Sequence, residues 1–147
     1  AMRKAEGDRL TEAINQQIIY FISLIEQISA AAPLVIIEYR QKLSERIKEA
    51  LADVALDESK LINEVAFFTD KADITEELTR LNSHCRLFLD TLFKDIPVGR
   101  KLDFILQEMN REINTIGSKA NSSEIATVVI EAKSVLEKVR EQTQNLE

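Results

Sequence analysis

Only three glycines and two prolines punctuate the 147 residues. These two residue types supply most turns and breaks, so a chain this poor in them has few places to reverse. Apolar residues recur at helical spacing along nearly the whole length. The fold class expected is therefore all-α, with about six helices, no strand pattern, no repeat and no low-complexity tract. Hydrophobic residues make up 45% and charged residues 30%, a balance unlike that of disordered or membrane-embedded chains. The longest apolar run, residues 18–25, falls short of the roughly 18 residues a spanning helix needs, and no signal peptide is expected. One cysteine allows no internal disulfide and no paired-cysteine metal site. A reducing, cytoplasmic setting is its simplest home.

The 147 residues read as one helical domain in two parts, a long hairpin over 1–56 and a smaller bundle over 57–147. In the first helix, to about residue 30, Leu10, Ile14, Ile18, Phe21, Ile25 and Ile28 form one stripe. Ile19 and Ile22 fall outside it and suggest a second contact surface. Pro33 suits the first turn of a second helix, with Ile36, Leu43, Ile47, Leu51 and Val54 inward. The short "AAP" link predicts an antiparallel hairpin whose arms are on the order of 30–40 Å long. Asp57 is positioned to cap a short third helix. Asp73, with Glu76 three residues on, has the spacing of a capping box for a fourth. That helix buries Ile74, Leu78, Leu81, Cys85, Phe88 and Leu92. "KDIPVG" breaks the chain before a fifth helix near residues 100–119, and "NSS" caps a sixth that turns Ile125, Val128, Val129, Ala132, Leu136 and Val139 inward.

The net charge of −6 argues against indiscriminate nucleic-acid binding. Only residues 96–121 reverse the balance, with 4 basic and 3 acidic groups. In the fifth helix Leu102, Ile105, Leu106, Met109, Ile113 and Ile116 make the core face. Opposite lie Arg100, Phe104, Gln107, Glu108, Arg111, Asn114 and Ser118. Phe104 is about 150° off the apolar stripe at 100° per residue. It either packs under a neighbouring helix or is a stacking platform between phosphate-binding arginines. Glu108 and Glu112, four apart, share a flank. They either pair with Arg111 and Lys101 or act on a divalent cation or a proton. On the fourth helix Glu77, Arg80 and His84 share an edge, and His84 is either a boundary residue or a proton carrier. Asp70, Asp73, Glu76 and Glu77 form an acidic cluster that is partly capping. Cys85 reads as core. There is no glycine-rich phosphate loop, nucleophilic triad or zinc spacing.

"PVGRKLDFILQEMNREINTIGSKA", "FFTDKADITEELTRLNSHCRLF" and the terminal "EKVREQTQNLE" resemble the C-terminal half of the YicC/YloC-type bacterial endoribonucleases, and "MRKAEGDRL" fits the family's entry into its helical region. Cys85 departs from the pattern, where leucine is usual. The resemblance implies a further domain upstream, Ala1 as a cloning remnant, and a cytoplasmic, divalent-metal-dependent endoribonuclease that cleaves single-stranded RNA. It further implies Mn²⁺ or Mg²⁺ and a ring-like homo-oligomer, a hexamer, with no membrane. Carried onto this sequence, Glu77, Glu108 and Glu112 would hold the metal and act with His84 in catalysis. Arg80, Arg100, Lys101, Phe104, Arg111 and Lys119 would bind RNA. The alternative is a non-catalytic helical module for oligomerisation and RNA clamping.

Overall fold

A computed structural model describes residues 2–51, 55, 57–94 and 99–146, with side chains from residue 5 onward. Five helices follow in order: α1 (Met2–Leu51), α2 (Glu58–Ala72), α3 (Thr75–Leu92), α4 (Gly99–Lys119) and α5 (Ser123–Gln144). No strand occurs among the described residues. The all-α expectation holds, but the count is five because the first two expected helices are one.

α1 runs through Pro33 without interruption. At 1.5 Å per residue it is about 75 Å long. The expected reversal at "AAP" does not occur. A proline inside a helix removes one backbone donor and crowds the preceding turn, at a cost of about 3 kcal/mol. Burial offsets it: Ile28, Ala31 and Val35 lie on the buried face on either side, while Pro33 itself points out. Each fully buried Ile or Val contributes about 1.5–3 kcal/mol, so the core holds the helix together across the proline. The chain reverses instead between Leu51 and Glu58, where Asp57 caps α2 by accepting from the Ser59 and Lys60 amides at 3.1 and 3.3 Å. A hairpin does exist, but it joins the second half of α1 to α2. Val54, assigned inward from sequence, lies outside the described residues.

The main core is a four-helix bundle. α1 up to Val35 packs on α3 and α5, α3 on α4, and α4 on α5. Ile14, Ile18, Phe21, Ile25 and Ile28 meet Leu81, Cys85 and Phe88 of α3, Leu102, Met109, Ile113 and Ile116 of α4, and Ile125, Ala132 and Val139 of α5, all within one apolar cluster. Beyond Val35 no residue of α1 is fully buried. This second half forms an arm with α2, held by buried Leu61 and by Tyr39 stacked on Phe68, with ring centroids 3.8 Å apart. Residues 18–35 carry a single charge, Glu26. α1 is in fact long and apolar enough, by length and composition, to cross a membrane, a property the run-length reading missed. Its stripe is the pattern of a core helix, buried on one face. Ile22 packs against the core, whereas Ile19 is 48% exposed.

Of the expected caps, that of α5 forms as expected and that of α3 differs in detail. Ser122 caps α5 through the Ile125 amide at 3.3 Å, and Asn121 before it takes a left-handed φ of 43°, which asparagine tolerates better than most residues. At α3, Asp73 accepts from the Thr75 amide at 2.9 Å and the Thr75 hydroxyl at 2.6 Å. Glu76 does not close the box, because its carboxylate turns to Arg80 at 3.5 Å.

Pro33 distinguishes the two topologies energetically. In a continuous helix, Pro33→Ala restores a donor and relieves crowding. It should stabilise the chain by about 2 kcal/mol, after allowing for the looser unfolded state. In a hairpin with Pro33 in a first turn, the same change would be neutral or destabilising. Thermal and urea melts of the two chains make the comparison.

Candidate nucleic-acid interface

α3 and α4 pack antiparallel along a charged seam. Arg80 Nε donates to Glu112 Oε1 at 3.1 Å, and its other nitrogens lie 3.5 Å from Glu76 and 3.9 Å from Glu77. One turn away, Lys119 Nζ donates to Glu77 Oε1 at 2.7 Å and to the Asp73 carbonyl at 3.4 Å. Glu77 and Glu112 are 3% and 6% exposed, so both are core-edge carboxylates rather than surface ones. Charged groups are almost never buried unpaired, and each here meets a cation from the opposite helix. The sequence reading paired Glu112 with Arg111 or Lys101 on its own helix. The antiparallel packing brings Arg80 to it instead.

That packing brings Glu77, Arg80, Glu112 and Lys119 together and leaves the other site residues apart from them. The pairs Asp73–Lys119 and Arg80–Glu112 set a register that continues to His84 and Glu108. The two sit level on adjacent helices, both half-buried, with no hydrogen bond or ion pair between them. His84 Nδ1 is buried without a hydrogen-bond partner. Cys85 beside it is core, as expected, and burial pushes its thiol up to about 12.

The proposed metal set does not fit this arrangement. Among the described residues, no group of three or more His, Cys, Asp or Glu side chains is placed to hold a metal ion. Glu77 and Glu112 already face Arg80 and Lys119, and two cations at 2.7 and 3.1 Å oppose a third charge on the same oxygens. Glu108 joins neither pair.

The outward side of α4 is different in character. Phe104 is 63% exposed, so it does not pack beneath a neighbour. Around it Arg100, Lys101 and Arg111 are exposed and form no ion pair among the described residues. In the α3–α4 register Leu87, 42% exposed, comes level with this aromatic. The face therefore offers an aromatic, an aliphatic neighbour and three exposed cations. Arg80 and Lys119, counted with the RNA-binding set, are instead tied to carboxylates. Arg100 is displaced from the seam and opens toward α5, beside Arg140. Sequence reading passed over Arg140, whose only local signal was Glu137 three residues earlier.

The seam makes stability depend on acidity. Burial works against ionised Glu77, but hydrogen bonding and charge from Lys119, with help from Arg80, outweigh it and hold the carboxyl below its ordinary value of 4.5. A depressed folded value means that the contribution is present above the unfolded value and is lost as pH falls through the folded one. Glu77→Gln should therefore melt lower than the parent chain at neutral pH. Its melting temperature should also fall less between about pH 6 and about pH 3. Parallel melting curves across that range measure both.

Comparison with known proteins bears on the same helices. The family model described as the C-terminal region of YicC-like endoribonucleases matches residues 28–147. A probable endoribonuclease YicC of Clostridioides difficile strain 630 is 48% identical over 147 residues, covering 99% of this chain and 50% of that protein. A probable endoribonuclease YicC of Haemophilus influenzae is 36% identical over 147 residues, covering 100% of this chain and 50% of its own length. The chain thus spans about half the length of these relatives. With the match running from the middle of α1 through the charged seam and α5 to the last residue, this chain belongs to the YicC-like endoribonuclease family, as its C-terminal domain.

Proposed function

We propose that the chain is the RNA-engaging half of an endoribonuclease acting on single-stranded RNA. The observation that carries this reading is the outward face of α4, where Phe104 is 63% exposed between Arg100, Lys101 and Arg111, which form no ion pair among the described residues. An exposed aromatic offers a face on which a base can stack, and cations on either side suit the phosphates of a strand whose bases are splayed. The net charge of −6 disfavours indiscriminate binding, so recognition is local to this face.

RNA carries its own nucleophile. In this reading His84 takes the proton from a 2′-hydroxyl, the 2′-oxygen attacks phosphorus to close a 2′,3′-cyclic phosphate, and the 5′-oxygen leaves as a hydroxyl with a proton from water. The exposed cations of α4, Arg100, Lys101 and Arg111, would meet the charge that develops on phosphate. His84 is half-buried with its Nδ1 enclosed, so Nε2 is the nitrogen left to take that proton. A divalent cation would not be held by Glu77, Glu108 and Glu112 as they stand, so this route uses none of their carboxylates. Self-association into a ring of copies, a hexamer, belongs to the same proposal, with exposed Ile19, Leu34 and Ile37 as apolar surface on α1.

One observation favours a second reading, in which this half clamps RNA and the scission chemistry lies elsewhere. The two buried acids are neutralised by salt bridges rather than free for catalysis. Single-turnover cleavage by a protein carrying this chain, with added Mn²⁺ or Mg²⁺ and with chelator, separates the two. If His84 is the base, His84→Ala lowers the rate by about 10²–10⁴ while RNA affinity stays unchanged. A His84→Ala protein that cleaves at the parent rate leaves only the clamp. Loss of all cleavage on chelation would put a metal into the chemistry at residues other than these.

A further inference from the structure

The α4–α5 packing leaves an open groove on the side away from α3. Two adjoining cavities of about 330 and 280 Å³ share Arg140 and run from Gly99 to Asn110 along α4. That is about 16 Å at 1.5 Å per residue. We infer that this groove is a second RNA-binding track, continuous with the Phe104 face and taking the phosphates and bases of the strand beyond it. The inference rests on the RNA reading above and extends it to residues that reading does not use.

Four features support the track. Its floor is apolar, made by Leu106 and Leu136, which are 3% and 4% exposed. A base or ribose can lie on such a floor without stranding a polar group. Its cations, Arg100, Lys133 and Arg140, are exposed, and Lys133 and Arg140 are two turns apart on one edge of α5. Its acids are met from within the groove, Asp103 by Gln107 at 3.1 Å and Glu137 by Arg140 at 3.1 Å; the Arg140–Glu137 pair is a solvent-exposed one, weak enough for a phosphate to displace. Gln107 and Asn110 add amide donors and acceptors of the kind that read unpaired base edges. Arg100 joins the two surfaces, since it lines the groove and stands one turn before Phe104 on α4.

The test compares two charge-matched variants of this 147-residue chain. Lys133→Gln with Arg140→Gln alters the groove. Lys42→Gln with Lys48→Gln alters the arm by the same charge. All four residues are exposed, so both variants should fold, and their circular dichroism checks this. Binding of a fluorescein-labelled uridine-rich single strand is followed by anisotropy over a salt series. The groove variant should bind at least about fivefold more weakly, with a salt slope shallower by about 2, one per lost phosphate contact. The arm variant should match the parent. Equal losses in both variants, or an unchanged slope in the groove variant, overturn the track and leave diffuse electrostatics. Equal displacement of the strand by polyglutamate would make the groove an anion or acidic-peptide site and overturn it also. If the parent chain binds no RNA at any salt concentration, the RNA reading itself fails, an outcome distinct from the groove's failure.

Discussion

Two buried carboxylates govern how this domain is put together. Taking an ionised acid out of water costs several kcal/mol unless a partner meets it. Glu77 finds Lys119, and Glu112 finds Arg80, each from the opposite helix. Sliding α4 along α3 by one turn would strand at least one acid, and breaking a buried pair in this way typically costs 3–5 kcal/mol. The pairs therefore act as register pins for two helices whose apolar stripes alone tolerate more than one alignment. Everything on the outward side of α4 inherits that alignment: Phe104 level with Leu87, Glu108 level with His84, and Arg111 exposed to solvent.

Hydrophobic burial decides the larger architecture. α1 crosses Pro33 because its inward residues on both sides of the proline belong to the bundle core or its edge, and their burial outweighs the local penalty of about 3 kcal/mol. Past Val35 that support ends, and the helix continues on the weaker hold of α2, with one buried leucine and one aromatic stack. The molecule is thus a well-packed bundle with a lightly held arm. The candidate nucleic-acid surfaces belong to the bundle, so the face that would meet RNA is also the most firmly positioned.

Much of the fold was legible in the sequence because helical periodicity reports burial directly. All six residues assigned to the core face of α4 are buried, and the stripes of α3 and α5 deviate only at Leu78 and Val128, which are half-buried. The topology at Pro33 was misread because a proline five residues after the last residue of a helical stripe looks the same in a first turn as inside a helix. Tertiary burial distinguishes the two, and a sequence does not display it. The site was less legible for a related reason. Spacing finds partners along one helix, as between Glu108 and Glu112, whereas the ion pairs that formed run across helices separated by 32 and 42 residues. Glu112 looked like a metal ligand or a surface acid because nothing local announced Arg80. The exposure of Phe104 was foreseeable as an off-stripe aromatic, but its alternative, packing under a neighbour, was excluded only by the coordinates.

The account stands on the claim that RNA lies against the outward face of α4. Ultraviolet crosslinking of a uridine-containing single strand to this chain, with the adducts located by mass spectrometry, reads that contact without altering a residue. The account predicts adducts concentrated between Gly99 and Lys119, with Phe104 foremost. Adducts confined to the α1–α2 arm, with none on α4 at saturating RNA, would contradict it.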